Sequence, residues 1–178
     1  MASHFHTNVL IQITICFFLL LLSLSPIKAN LVNDVCKDTQ NPTSCVSALE
    51  LDAKATSTTD LKALAKMALQ LAVSNSTNSK KYIEEMAGKT TEPALKKALE
   101  TCVSNYVYSV GSFNSALEEL DEDMDTATYD AKVAGDGAQY CEDALAFGGV
   151  KEASVSTRNG YVFLYSDIGF VITNKLDV

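Results

Sequence analysis

Two runs of apolar residues flank the acidic stretch DEDMD near the middle of the chain and constrain the fold most strongly. Steps of three or four residues place side chains on one face of an α-helix. The first run comprises Leu95, Leu99, Cys102, Tyr106, Val110, Phe113, Leu117 and Leu120. The second uses smaller side chains: Ala127, Ala131, Ala134, Ala138, Cys141 and Leu145. The pattern predicts two long helices that pack together as an antiparallel hairpin.

Cys102 and Cys141 occupy matching positions in the two runs. In an antiparallel hairpin, residues equidistant from the turn face each other, and the midpoint of this pair falls between Asp121 and Glu122. The register therefore predicts a disulfide between Cys102 and Cys141. In the chain-entropy model, closing a loop of this length stabilises the fold by roughly 3–4 kcal/mol.

Two further helices are predicted outside this hairpin. One begins at a cap supplied by Thr59 or Asp60 and stops at Gly88, although its middle, SNSTNS, is poor helix material. The other runs from about Ser154 to Lys175. Its β-branched and aromatic residues would also suit a strand, but its length and its helical partners favour a helix. The chain is thus predicted to be an all-α bundle.

The N-terminal segment has the layout of a secretory signal peptide. The apolar run VLIQITICFFLLLLSL is followed by Pro26 and by a small residue at Ala29. Residues 1–29 are therefore predicted to be removed, which leaves a mature domain over residues 30–178. An uncleaved membrane anchor is the alternative. Cleavage implies secretion, with no membrane association afterwards.

Four cysteines remain after cleavage, because Cys16 leaves with the signal peptide. In a secreted domain, four cysteines indicate two disulfides with three possible connectivities. Cys36 and Cys45 flank a turn signal at Asn41-Pro42. Pairing these two cysteines would close a small helical hairpin ahead of the bundle.

Composition excludes several classes of function. The chain has 14 basic and 22 acidic residues; losing Lys28 with the signal peptide changes the net charge from −8 to −9. An acidic surface repels nucleic acid and favours a basic protein partner. Both histidines lie within residues 1–29 and the chain lacks tryptophan, so histidine-based catalysis and histidine-ligated zinc are excluded from the mature domain. We predict a binding protein without cofactor, not an enzyme.

The acidic stretch does not match a calcium-binding loop. An EF-hand that starts at Asp121 requires glycine at position 126 and glutamate at position 132. The chain has Thr126 and Lys132 there. A solvated acidic turn is the better interpretation, and no metal site is predicted.

One N-glycosylation sequon, Asn75-Ser76-Thr77, lies within the first predicted bundle helix. Asn41-Pro42-Thr43 is disqualified by its proline. Asn75 is therefore a predicted glycan site, provided that its side chain faces outward.

Several segments resemble the plant invertase and pectin methylesterase inhibitors. The resemblance is carried by VCKDTQNPTSCVSAL, EPALKKALETCVSNY, GDGAQYCEDAL and GFVITNKL, and it covers nearly all of residues 31–176. It implies a helical hairpin within residues 30–56, an antiparallel four-helix bundle within residues 57–178, and the disulfides Cys36–Cys45 and Cys102–Cys141. It also implies a monomer that forms a 1:1 complex with a carbohydrate-active enzyme of the plant cell wall.

The resemblance leaves the target enzyme open. Invertase inhibitors of this family carry Pro-Lys-Phe near the start of the third bundle helix, whereas this chain has Met124-Asp125-Thr126. Pectin methylesterase is therefore the preferred target and acid invertase the alternative, with an apoplastic or vacuolar destination. A secreted storage or small-ligand-binding protein is a third hypothesis.

The inhibitory face is expected on the second and third bundle helices and the turn between them. The turn concentrates negative charge at one end of the bundle, and the residues flanking it lie off the apolar runs. The predicted contact residues are Glu118, Asp121, Asp123, Asp125, Thr126, Tyr129 and Asp130.

Overall fold

The computed structural model describes residues 31–177, which form seven α-helices. The predicted signal peptide, including Cys16, lies outside the described residues. The helices are α1 Leu31–Cys36, α2 Pro42–Leu49, α3 Leu61–Lys89, α4 Pro93–Glu119, α5 Met124–Val133, α6 Asp136–Phe147 and α7 Ala153–Leu176. The predicted all-α fold is confirmed.

The long helices close into a bundle with α5 and α6 in line as its third member. Helix α4 packs against α3 on one side and against α5 and α6 on the other, and α7 completes the ring between α3 and the α5–α6 pair. The short hairpin α1–α2 packs against α7. The disulfide Cys36–Cys45 links the two helices of this hairpin.

Side-chain caps define where most of these helices begin. The carboxylate of Asp60 accepts hydrogen bonds from the backbone N–H groups of Lys62 and Ala63 and so caps α3, as the sequence predicts. Glu92 caps α4, which continues with Pro93 at its first turn. These caps satisfy backbone donors that have no partner within the helix.

Helix α3 is continuous and longer than predicted. It passes through the polar stretch SNSTNS and through Gly88, and it ends at Lys89. Within that stretch Ser76 and Ser79 are fully buried, because their small side chains let the neighbouring helices approach. Tertiary packing here outweighs weak helix propensity.

The third bundle helix is broken where the sequence predicts a continuous one. Ala134 and Gly135 separate α5 from α6. The Ser109 hydroxyl of α4 donates to the carbonyl oxygen of Ala134 at 2.7 Å, and the Ser166 hydroxyl of α7 donates to that of Lys132 at 2.8 Å. These hydroxyl groups donate hydrogen bonds to backbone carbonyl oxygens at the break. The hydrogen bonds reduce the free-energy cost of interrupting the helix.

A buried polar chain crosses the core of the bundle. The Tyr106 hydroxyl of α4 donates to Oδ1 of Asn159 in α7 at 2.7 Å, and Nδ2 of Asn159 donates to Oε1 of Glu142 in α6 at 2.7 Å. Tyr106 and Asn159 are fully buried. Burial raises the pKa of Tyr106, so its hydroxyl remains a donor. The chain of hydrogen bonds fixes three helices relative to one another.

Candidate interaction surface

The helix pair α4–α6 is held at unusually short range. The disulfide Cys102–Cys141 joins the helices, with the two Cα atoms 4.3 Å apart. A Cβ atom on Gly137 would lie well inside van der Waals contact of the Asn105 carbonyl oxygen and of Ser109 Oγ. Glycine is therefore required at position 137, and the disulfide together with this close approach fixes α4 and α6 relative to each other.

The acidic turn connects α4 to α5, and one of its residues caps a helix. Asp123 caps α5: its carboxylate accepts from the Thr126 backbone N–H at 3.2 Å and from the Thr126 hydroxyl at 2.9 Å. The Thr126 backbone N–H, followed by the hydroxyl, lowers the pKa of Asp123. The turn is more than a solvated loop, because one of its carboxylates starts a helix.

A second carboxylate of the turn is tied to a different helix. Asp121 forms an ion pair with Lys62 at the start of α3, with Nζ and Oδ1 2.7 Å apart. The hydrogen bond and the positive charge of Lys62 lower the pKa of Asp121. Lys62 also neutralises part of the negative charge at this end of the bundle, an effect that the sequence pattern does not reveal.

The predicted contact residues are gathered in one region, but they differ in accessibility. Asp125 and Glu118 are exposed, and Tyr129 is 64% exposed. Thr126 and Asp130 are half-buried, although the sequence predicts that both face outward. For Thr126 the reason is its hydrogen bond to Asp123, which holds the hydroxyl against the turn.

The entire net charge of the mature domain lies in this region. Residues 118–147 contain ten acidic side chains and one basic side chain, Lys132, a net charge of −9. The rest of residues 30–178 contains twelve of each sign and is neutral. The hairpin of α4, α5 and α6 thus carries the strongest field on the molecule.

Sequence reasoning missed an aromatic row on the same hairpin. Tyr140 is 54% exposed and Phe147 is 91% exposed, and they follow Tyr129 along the outer side of α5 and α6. Tyr140 and Phe147 are seven residues apart within α6, so their side chains lie on one helical face, whereas Tyr129 precedes the break at Gly135. The regular spacing of these aromatic residues is visible in the sequence and could have indicated the row.

Other predicted features fall outside this region. Asn75 lies in the middle of α3, half-buried, with its side-chain oxygen buried and without a hydrogen-bond partner among the described residues.

Within residues 31–177, no group of three acidic, histidine or cysteine side chains is placed to hold a metal ion. No helix of the same residues is long and apolar enough to span a bilayer.

A disulfide-linked helical bundle that concentrates its net charge and its most exposed aromatic rings on one hairpin is typical of a protein that acts by binding. Comparison with known families is decisive: the sequence model of the plant invertase/pectin methylesterase inhibitor family matches residues 30–168. The chain belongs to this family. It is therefore a proteinaceous enzyme inhibitor and not an enzyme, which sets aside the storage hypothesis.

Individual relatives fall on both branches of the family. The chain is 33% identical over 117 residues to a pectinesterase inhibitor of Actinidia deliciosa, an alignment that covers 65% of this chain and 63% of the relative. It is 26% identical to pectinesterase inhibitor 2 of Arabidopsis thaliana, over 96% of this chain and 97% of the relative. It is 28% identical to an Arabidopsis cell wall / vacuolar inhibitor of fructosidase, over 64% of this chain and 63% of that one.

Solved structures agree with the fold. The crystal structure of a mutant form of a pectin methylesterase inhibitor from Arabidopsis superposes with a TM-score of 0.70 at 27% identity, covering 79% of this chain and 93% of the other. A second pectin methylesterase inhibitor from Arabidopsis thaliana gives a TM-score of 0.63 at 26% identity, over 84% and 98% of the two chains.

Proposed function

We propose that this chain inhibits a pectin methylesterase by covering the enzyme's substrate cleft with one face of its bundle. The observation that carries the choice of target is the start of α5, where invertase inhibitors have Pro-Lys-Phe and this chain has Met124-Asp125-Thr126. The central lysine is replaced by an exposed aspartate, a reversal of charge at that position. Pectinesterase inhibitors among the relatives and solved structures support the same target.

Acid invertase is the second candidate target. Relatives named as invertase inhibitors support it, including a putative one of Platanus acerifolia that is 29% identical over 76% of this chain and 80% of its own length. The two targets call for different chemistry at the start of α5. A face built around Asp125 favours a cationic partner surface, whereas Pro-Lys-Phe presents a cation itself.

Inhibition in this proposal needs no chemistry from the inhibitor. The acidic hairpin attracts a basic enzyme and orients it, and the rigid α4–α6 pair then blocks access to the cleft as a monomer in a 1:1 complex. Asp121 and Asp123 have lowered pKa values, so they remain negatively charged at more acidic pH than an ordinary aspartate. The attraction therefore persists at mildly acidic pH.

Secretion into the cell wall follows from the same proposal. Residues 1–29 have the features of a signal peptide, and the two disulfides suit an oxidising compartment. One Arabidopsis relative is a cell wall / vacuolar inhibitor of fructosidase by name, which supports either the cell wall or the vacuole as the destination. Glycosylation of Asn75 remains a prediction.

Neutralising the acidic turn should slow complex formation. In the triple variant Asp121→Asn, Asp123→Asn and Asp125→Asn, we expect the association rate with a basic pectin methylesterase to fall by about tenfold at low salt, because long-range attraction is lost. Asparagine at position 123 keeps a good helix cap, so the fold is retained. Stopped-flow or surface-binding kinetics at two ionic strengths measure the effect.

A matched control removes the same charge elsewhere. The variant Glu84→Gln, Glu85→Gln and Asp177→Asn changes three exposed carboxylates outside the hairpin. It should associate nearly as fast as wild type and keep a steep salt dependence. Equal slowing in both triple variants would show that only net charge matters and would move the inhibitory face away from the turn.

A further inference from the structure

The aromatic row on the third bundle helix lies beside a groove that is distant from the acidic turn. Helices α4 and α6 border this groove, which has a volume of about 430 Å³. Its α6 wall includes Tyr140, Ala144 and Phe147, and its α4 wall includes Ala98 and Thr101. At 1.5 Å per residue, Phe147 lies roughly 30 Å along the helix from Asp125. A large exposed aromatic surface at this position is unexplained by folding, since it contributes nothing to the core.

Carboxylates accompany the aromatic rings along the row. Asp136 precedes Tyr140 by four residues and Asp143 follows it by three, so both lie on the same side of α6 as the ring. Both are exposed, and Asp143 also accepts a hydrogen bond from Nε2 of Gln139 at 2.9 Å. The row therefore combines flat aromatic faces with negative charge.

This combination fits an arginine side chain. A guanidinium group stacks on an aromatic face and at the same time donates paired hydrogen bonds to a carboxylate. We propose that the aromatic–acidic row of Tyr140, Asp143 and Phe147 binds arginine side chains of a basic protein partner and forms a second contact zone of the inhibitory complex. That the partner is the inhibited enzyme rests on the proposed function. That the row binds arginine side chains does not depend on the proposed function.

A substitution of Lys97 tests whether the groove binds a cationic or an anionic group. Its side chain lies on the opposite wall of the groove, where it repels a cationic group and would attract an anionic one. If the row binds arginine, Lys97→Gln should strengthen binding to the basic pectin methylesterase several-fold. Weaker binding by this variant would mean that the groove receives an anionic or neutral group, and it would overturn the proposal.

The aromatic side chains provide the second test. Tyr140→Ser and Phe147→Ser should each raise the dissociation constant for the basic pectin methylesterase by about tenfold, mainly through faster dissociation. Tyr140→Phe keeps the ring and should bind nearly as wild type. Tyr161→Ser, which removes a comparably exposed ring from α7, is the control. Unchanged dissociation constants for both serine variants would contradict the proposal.

A direct probe separates this proposal from the choice of enzyme. Hexa-arginine is titrated into the isotope-labelled mature protein, and the ring resonances are followed by NMR. We expect those of Tyr140 and Phe147 to shift and those of Tyr161 and Phe163 to remain in place, with hexa-glutamate causing no shift. Failure to inhibit either enzyme together with these shifts would refute the proposed function alone. Absence of the shifts would refute the arginine site even if the protein inhibits.

Discussion

Removing the disulfide between α4 and α6 is expected to lower the free energy of unfolding by about 4 kcal/mol. The bond joins Cys102 and Cys141, 39 residues apart, and both side chains are fully buried. Its loss releases a long loop in the unfolded chain, whose entropy then opposes folding. The variant Cys102→Ala, Cys141→Ala, unfolded in urea and followed by circular dichroism, measures the change without leaving a free thiol.

The second disulfide provides the matched comparison. Cys36 and Cys45 are nine residues apart, so the chain-entropy model assigns their bond only about 2.5 kcal/mol. Replacing both with alanine should therefore destabilise less than replacing the α4–α6 pair. The reverse order would show that the α1–α2 hairpin contributes more to the fold than loop entropy implies. Linkage of Cys45 to Cys102 in an unreduced peptide map would refute the pairing itself.

Gly137→Ala is expected to destabilise the protein by about 2–3 kcal/mol, a large effect for one methyl group. The added Cβ would overlap the Asn105 carbonyl oxygen, a backbone atom of α4 that cannot swing aside, and Ser109 Oγ. The clash forces α4 and α6 apart one turn from Cys141. Thermal or urea unfolding measures the loss.

Gly111→Ala is the control for this substitution. Gly111 lies within α4, and a Cβ there meets no neighbouring atom within 4 Å. Alanine should therefore raise the free energy of unfolding by about 0.5–1 kcal/mol through better helix propensity. Equal stability of the Gly137→Ala and wild-type proteins would show that the two helices do not approach as closely as described.

The α4–α6 hairpin could be predicted in detail because its determinants are local. The apolar steps set the face of each helix, and the positions of Cys102 and Cys141 about the acidic turn set the register. Small residues from Ala127 to Ala138 indicated close packing, and all of the predicted apolar positions of the third helix are buried. The cap at Asp60 is also a local signal.

Other features depend on contacts that only the folded chain brings together. The break at Gly135 is supported by hydroxyls of Ser109 and Ser166, which come from two other helices. The ion pair of Lys62 with Asp121 joins residues far apart in the sequence. Neither follows from periodicity, because a polar residue on a predicted helix gives no indication of which neighbour it will meet.

Inhibition of a pectin methylesterase through a stoichiometric complex can be tested by titration. The most direct measurement titrates purified mature protein, at fixed enzyme concentration, against a basic pectin methylesterase and, in parallel, an acid invertase. We expect pectin methylesterase activity to fall linearly to an end point near one inhibitor per enzyme while invertase activity is unchanged. Inhibition of the invertase with full activity of the pectin methylesterase would contradict it.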